Sequence, residues 1–202
     1  VCSSDLKVKF GAYYGGSSKR NIKNVDLKNN RKNTWGTGLI FDHEIDSIQN
    51  VTVAAGFTRE ISENANKTEY YSNAYALGLA YNFVHTTYGL DLAHKDTKNK
   101  DGAGNKVKNN EVTAVIRQGL NEDWNVYAMY SYKTEKTLPV GSAYSKSTDR
   151  QFLMGTEYYV FKQGSLKVKP FLEWQATRTK YENDTKDRSR DFKTVIGLRA
   201  YW

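Results

Sequence analysis

The stretch that most limits what this chain can fold into is its last eleven residues, FKTVIGLRAYW at 192–202. Phe192, Thr194, Ile196, Leu198, Ala200 and Trp202 take every second place, and Lys193, Val195, Gly197, Arg199 and Tyr201 fill the places between. A period of two sends the two sets to opposite faces of a β-strand, one of them apolar, whereas a helix of period 3.6 would mix them. The alternation recurs upstream, most clearly at 69–83. There Tyr71, Tyr75, Leu77, Leu79, Tyr81 and Phe83 share one face and Ser72, Ala74, Ala76, Gly78, Ala80 and Asn82 the other. Further strands are expected at 7–14, 34–41, 50–60, 88–95, 111–120, 125–134, 150–161 and 166–177, which makes ten strands in all.

The gaps between these strands alternate in length. Those after the first, third, fifth, seventh and ninth strands (15–33, 61–67, 96–110, 135–149 and 181–190) are long and rich in Lys, Asn, Ser and Asp; the others are short. Short turns at one end and long loops at the other are the pattern of an antiparallel up-and-down barrel in an outer membrane. Pro170 falls inside the ninth strand, where its missing N–H predicts a bulge or a weak point in the pairing. Small residues at the inward places, such as Gly36 and Gly38, suit a narrow lumen or a close approach of backbone.

Composition narrows the class. A hydrophobic fraction of 39% with a mean hydropathy of −0.73 is poor for a large soluble core. The 15 Tyr, 8 Phe and 4 Trp exclude a disordered chain. No run of eighteen apolar residues occurs, which excludes a membrane-spanning helix but not barrel strands, which alternate apolar outside and polar inside. Tyr81, Phe83, Tyr88, Trp124 and Trp202 fall at the short-turn ends of the strands, and Tyr71, Tyr132, Phe152 and Phe192 toward the loop ends. Two aromatic belts around an aliphatic band are what two lipid interfaces select. The expected fold is therefore all-β, an antiparallel up-and-down transmembrane β-barrel.

A net charge of +8 raises nucleic acid as a partner, but the lysines concentrate in the loops and no basic helix or zinc spacing accompanies them, so no nucleic-acid partner is expected. Residues 1–6, VCSSDL, resemble the translation of a sequencing adapter and are expected to be non-native, leaving 7–202 as one barrel domain. A missing upstream hairpin would make the native barrel twelve-stranded or larger.

His43, His85 and His94 are the first candidates for chemistry, yet two fall in expected short turns and one on a strand, so they do not converge. No catalytic, metal or cofactor site is expected, and the glycines at 36, 38, 102 and 104 lack the setting of a phosphate loop. Asn50, Asn66 and Asn183 begin N-x-T triplets that an Asn-rich chain yields by chance. The candidate functional residues are inward charges expected to line a pore: Arg117, Lys133, Glu157, Lys169, Glu173, Lys193 and Arg199.

The terminal strand, stopping on Trp202, resembles the closing strand of Gram-negative outer-membrane barrels. That resemblance implies residence in the bacterial outer membrane, contact with its lipid and lipopolysaccharide, and recognition of the C-terminal strand by the barrel-assembly machinery. The sequence KPFLEW at 169–174, with the chain's size and basic balance, resembles the oligogalacturonate-specific porin family, which implies a twelve-stranded channel for acidic sugars. With only nine Arg the chain departs from the arginine-rich lumen of that family. The expected function is a porin-like channel for passive diffusion of small hydrophilic solutes, anions and sugars among them. The alternative is a non-conducting barrel that acts through its loops as an adhesin or structural protein.

Overall fold

The structure, a computed structural model, describes residues 6–17, 29–64, 68–100, 104–182 and 188–201. They form one antiparallel sheet of eleven strands: β1 (Leu6–Gly15), β2 (Asn29–Asp46), β3 (Gln49–Asn64), β4 (Glu69–Phe83), β5 (Thr86–Asn99), β6 (Lys106–Gly119), β7 (Trp124–Leu138), β8 (Ser145–Tyr158), β9 (Phe161–Gln163), β10 (Leu166–Glu182) and β11 (Arg188–Tyr201). Each long strand pairs with the next, in the order β1-β2-β3-β4-β5-β6-β7-β8-β10-β11, and β9 pairs with β10. No helix occurs among the described residues. β1 and β11 pair on one side only, so the sheet is not closed, although an even set of strands was expected to be able to close on itself.

Two expectations about the strands are corrected. The strands run well past the apolar alternation: 96–110 and 135–149, expected as loops, contribute to β5 through Asn99, β6 from Lys106, β7 through Leu138 and β8 from Ser145. Backbone ladders need no apolar side chains, and partners such as Lys108↔Lys136 and Thr134↔Thr148 carry the pairing into polar sequence. His43, expected in a turn, lies on β2 opposite Leu6 and Val51, while His85 is in the β4–β5 turn.

The second correction is at 150–161, which is not one strand. β8 stops at Tyr158, and a separate β9 begins at Phe161, because Tyr158, Tyr159 and Val160 face only Lys169 and Pro170 between the pairs Glu157↔Phe171 and Phe161↔Val168. Pro170 offers no N–H there. The Tyr159 N–H turns instead to the Asp123 carbonyl at 2.9 Å, and the Val160 N–H to that of Val168 at 3.1 Å. The tight turn before β7 is held by Asn121, whose Oδ1 accepts from the N–H groups of Asp123 (2.9 Å) and Trp124 (2.8 Å).

The sheet is inside out by the standard of a soluble domain. Among the described residues the buried side chains are Thr34, Ser62, Ser72, Ser131, Thr148, Glu157 and Lys169, all polar, and no hydrophobic side chain is buried. Leu77, Leu79, Leu90, Leu92, Ile116, Met154 and Leu172 are all exposed on one face. The other face is concave, since side chains on it bridge strands that are not neighbours: Arg117 on β6 reaches Glu157 on β8, and Tyr127 on β7 reaches Glu173 on β10. Such bridges close a gap of about 10 Å, twice the strand spacing, and hold the sheet curled.

The apolar band on the convex face runs obliquely to the hydrogen-bonded rows. Its loop-side edge begins at the pair Tyr14↔Trp35. Followed strand by strand, that row passes through Arg59, Asn73, Asp96, Lys108 and Lys136 to Lys146 on β8. The aromatic edge of β8 is Phe152, six residues further along. Its turn-side edge descends likewise, from Tyr81↔Tyr88 on β4 and β5 to Trp124↔Tyr158 on β7 and β8.

Candidate functional site

Alternation alone sends Arg117, Glu157, Lys169, Glu173 and Arg199 to one face, and the register brings them together at the short-turn end of the concave side. Glu157, only 5% exposed, is the hub. Its Oε1 accepts from Arg117 Nη2 at 2.7 Å and Lys169 Nζ at 3.0 Å, and its Oε2 from Arg199 Nη1 at 2.7 Å. Arg199 spans a second carboxylate, donating through Nη2 to Glu173 Oε1 at 2.8 Å. That same oxygen accepts from the Tyr127 hydroxyl at 2.6 Å. Three cations thus share two carboxylates, one positive charge in excess. Lys169 is as buried as Glu157, while the side chains of Arg117 and Arg199 are 45% and 38% exposed and present their outer edges to the concavity.

Aromatic rings pack this cluster from below. The Phe171 ring lies over Gly197, where an added Cβ would come within 2.6 Å of the ring, and the Arg199 guanidinium sits 4.3 Å above the same ring. Tyr127 covers Gly155 in the same way, and Tyr13 covers Gly36. Each of these aromatics is the direct cross-strand partner of the glycine it covers. The inward glycines therefore make room for rings lying flat on the wall. Lys169 is flanked by Tyr159 (4.2 Å) and Tyr201 (5.5 Å), which take its ammonium against their faces. Tyr127, Tyr159, Phe171 and Tyr201 were missed as site residues. For Tyr127 and Phe171 the available signal was an inward aromatic paired with an inward glycine, which needs the register to be seen; Tyr159 falls in the break after β8 and Tyr201 pairs with Lys167, so neither carries that signal.

A polar lattice carries the ring of contacts on toward β2. Asn50 and Thr52 donate to Asp42 Oδ1 at 2.6 and 3.0 Å, Asn82 donates to Asn50 at 3.2 Å, and Thr87, the row partner of Arg117, donates to Asn82 at 2.7 Å. Above it, toward the loops, the concave face of β1 to β7 opens into a groove of about 1200 Å³ floored by small residues such as Gly38, Ala54, Gly56, Ala74, Ala76 and Gly78.

Two of the expected pore-lining residues stand apart from the cluster. Lys133 lines the groove between its row partners Glu111 and Asp149. Lys193, exposed on edge strand β11, pairs with Asp191 at 3.1 Å. Of the expected girdle, Tyr81, Phe83, Tyr88 and Trp124 lie on the convex face at the short-turn end. Tyr81 stacks on Tyr88 at 6.3 Å and donates to Gln49 at 2.7 Å, and Trp124 Nε1 donates to Thr156 at 2.7 Å. Trp202 lies outside the described residues. Among the described residues no group of three or more His, Cys, Asp and Glu side chains is placed to hold a metal ion. His94 lies on the convex face, with Nδ1 2.7 Å from Asn110 Oδ1 and Nε2 3.0 Å from Asp96 Oδ2.

At the loop end of β2 to β5 the charges compensate one another. Lys32 bridges Glu63 (2.7 Å) and Glu69, and Lys100 holds Glu69 from the other side at 2.8 Å. Hydrogen bonds from Lys100 and then Lys32 hold the Glu69 carboxyl well below the usual carboxylate range, at about 2. No protein-family model matches this sequence, and no curated protein matches it either.

Proposed function

We propose that this chain forms the wall of a transmembrane β-barrel in a bacterial outer membrane, and that the barrel passes small hydrophilic solutes rather than catalysing a reaction. The observation that carries this reading is the oblique, inside-out apolar band. A slope of six residues over the seven strand steps from β1 to β8 is about 20 Å along the strands against about 34 Å across them, an angle of about 30°. A level lipid slab crossed by strands tilted about 35–45° draws nearly that line on a sheet, whereas a soluble sandwich has no reason to. On β4 the band runs from Tyr75 to Phe83, close to the 9–11 residues a tilted strand needs to cross hydrocarbon. In this reading β1 and β11 meet, directly or through further strands, because each unpaired backbone group in lipid costs several kcal/mol.

The concave groove, small-floored and edged by Lys133 and Glu111, supports a water-filled lumen. The cationic excess around Glu157 supports a mild preference for anions, acidic sugars among them, since a narrow pore with low-dielectric walls concentrates counter-ions. One observation favours a non-conducting barrel instead: the ionic cluster with its rings occupies the concave face at the short-turn end, and small barrels can be filled by their own side chains.

Reconstitution decides between them. The detergent-extracted protein should enter lipid vesicles and migrate faster on a gel before boiling than after. In a planar bilayer under a KCl gradient its reversal potential should show a weak anion preference. A cation-preferring potential would contradict the lumen described here, absence of conductance would support the non-conducting barrel, and recovery as a soluble monomer without detergent would remove the membrane reading.

A further inference from the structure

The convex face beyond the apolar band is built differently on its two halves. On β2 to β5 the rim charges pair with each other through Lys32, Glu63, Glu69 and Lys100. On β6 to β11 like charges stand directly opposite one another in hydrogen-bonded rows. Lys108, Lys136 and Lys146 form one such row on β6, β7 and β8. Arg150, Arg178 and Arg190 form a second on β8, β10 and β11, and Lys180 faces Arg188 in a third. Like charges directly opposite across a sheet destabilise it.

The described carboxylates do little to relieve the repulsion in the arginine row. Glu182 on β10, the row partner of Lys146, lies 3.5 Å from it, and Asp96 on the neighbouring β5 is engaged with His94 and, at 3.9 Å, Lys106. None of the described carboxylates ion-pairs with Arg150, Arg178 or Arg190, all of which are exposed. Their position is as telling as their charge. Arg150 and Arg190 come two residues beyond Phe152 and Phe192, the aromatics nearest the loop end of their strands, and the Arg150 guanidinium lies 5.9 Å from the Tyr132 ring. Both ends of the row therefore lie just beyond the loop-side edge of the apolar band, where a lipid's hydrocarbon gives way to its headgroup.

We infer that the Arg150, Arg178 and Arg190 row is a binding surface for the phosphate groups of anionic lipid headgroups in the leaflet on the long-loop side, with the lysine row beside it extending the same surface. This rests on the transmembrane reading above. Guanidinium groups rooted about 4.8 Å apart on adjacent strands can share one phosphate through different oxygens, and the planar fork of Arg suits that bidentate grip better than Lys does. The phosphate supplies a counter-charge that none of the described carboxylates gives the arginine row, so the repulsion within the row becomes attraction to the bilayer.

The test compares wild type with the triple variant Arg150→Gln, Arg178→Gln, Arg190→Gln in vesicles of phosphatidylcholine alone and of phosphatidylcholine containing bisphosphorylated lipid A. The readout is the temperature at which the fast-migrating folded band is lost. Wild type should hold its folded band about 5 °C or more higher with lipid A. That gain should vanish in about 1 M KCl, where screening reaches within about 3 Å. The variant should insert, lose most of the gain, and in phosphatidylcholine alone be at least as stable as wild type. Equal gains for both proteins, or none for wild type once inserted, would overturn the headgroup surface while leaving the membrane reading intact. The same gain from free pyrophosphate in phosphatidylcholine vesicles would assign the row to soluble anions and also overturn it. Failure of wild type to enter either vesicle would remove the membrane reading and this surface together.

Discussion

At the scale of residues, Glu157 holds the concave cluster together, because Arg117, Lys169 and Arg199 all donate to it. Glu157→Gln keeps the shape and removes the charge, leaving three cations to the single carboxylate of Glu173. Breaking a buried pair costs about 3–5 kcal/mol, and the half-exposed arginines place this case at the lower end, about 3 kcal/mol. Glu173→Gln should cost less, since Arg199 retains Glu157. Urea unfolding of the refolded protein measures both, and a loss below about 1 kcal/mol for Glu157→Gln would contradict the assignment of the hub. All five charges of this cluster were legible from alternation, because parity fixes a side chain's face. Parity does not say which side chains meet two strands apart, so Tyr127 and the covered glycines, Gly155 and Gly197, came only with the register.

At the scale of elements, the sequence marked where strands turn apolar and not where they end. β5 and β6 continue as polar ladder through residues that alternation gives no reason to pair, such as Lys95↔Asn109 and Asp96↔Lys108. Pro170 was readable as a weak point, and the structure places there the break that separates β9 from β8. The rim network joining β2, β3, β4 and the end of β5 gives a pH signature. The Glu69 carboxyl is depressed to about 2 by its lysine partners, against an ordinary value of about 4.3. A depressed carboxyl contributes stability that is fully present above its unfolded value and disappears as pH falls through its folded one. Wild type should therefore exceed Glu69→Gln in stability at pH 6, with the advantage fading between about pH 4 and pH 2. A difference that is absent at pH 6, or that persists unchanged below pH 2, would show that the lysines do not hold Glu69 as described.

At the scale of the whole molecule, the central claim is that one face of this sheet meets lipid along a line oblique to its hydrogen-bonded rows. Period-two alternation foretold the two faces and the meander. It could not foretell the slope, which appears only when residues far apart in the chain are placed in one row. Leu39 and Arg150 lie in the same row, joined through Ala55, Leu77, Leu92, Val112 and Tyr132, so in a sheet parallel to the lipid they would sit at one depth. With the tilt inferred here they differ by about 15 Å, whereas Leu39, Leu79, Met154 and Ile196 share the middle of the band. Spin labels at these positions, with depth read from oxygen against nickel accessibility in vesicles, test this directly. The account predicts deep labels at Leu39, Leu79, Met154 and Ile196, a shallow one at Arg150, and a water-exposed one at the inward Ala80. Equal water accessibility at Leu79 and Ala80, or equal depth at Leu39 and Arg150, would contradict it.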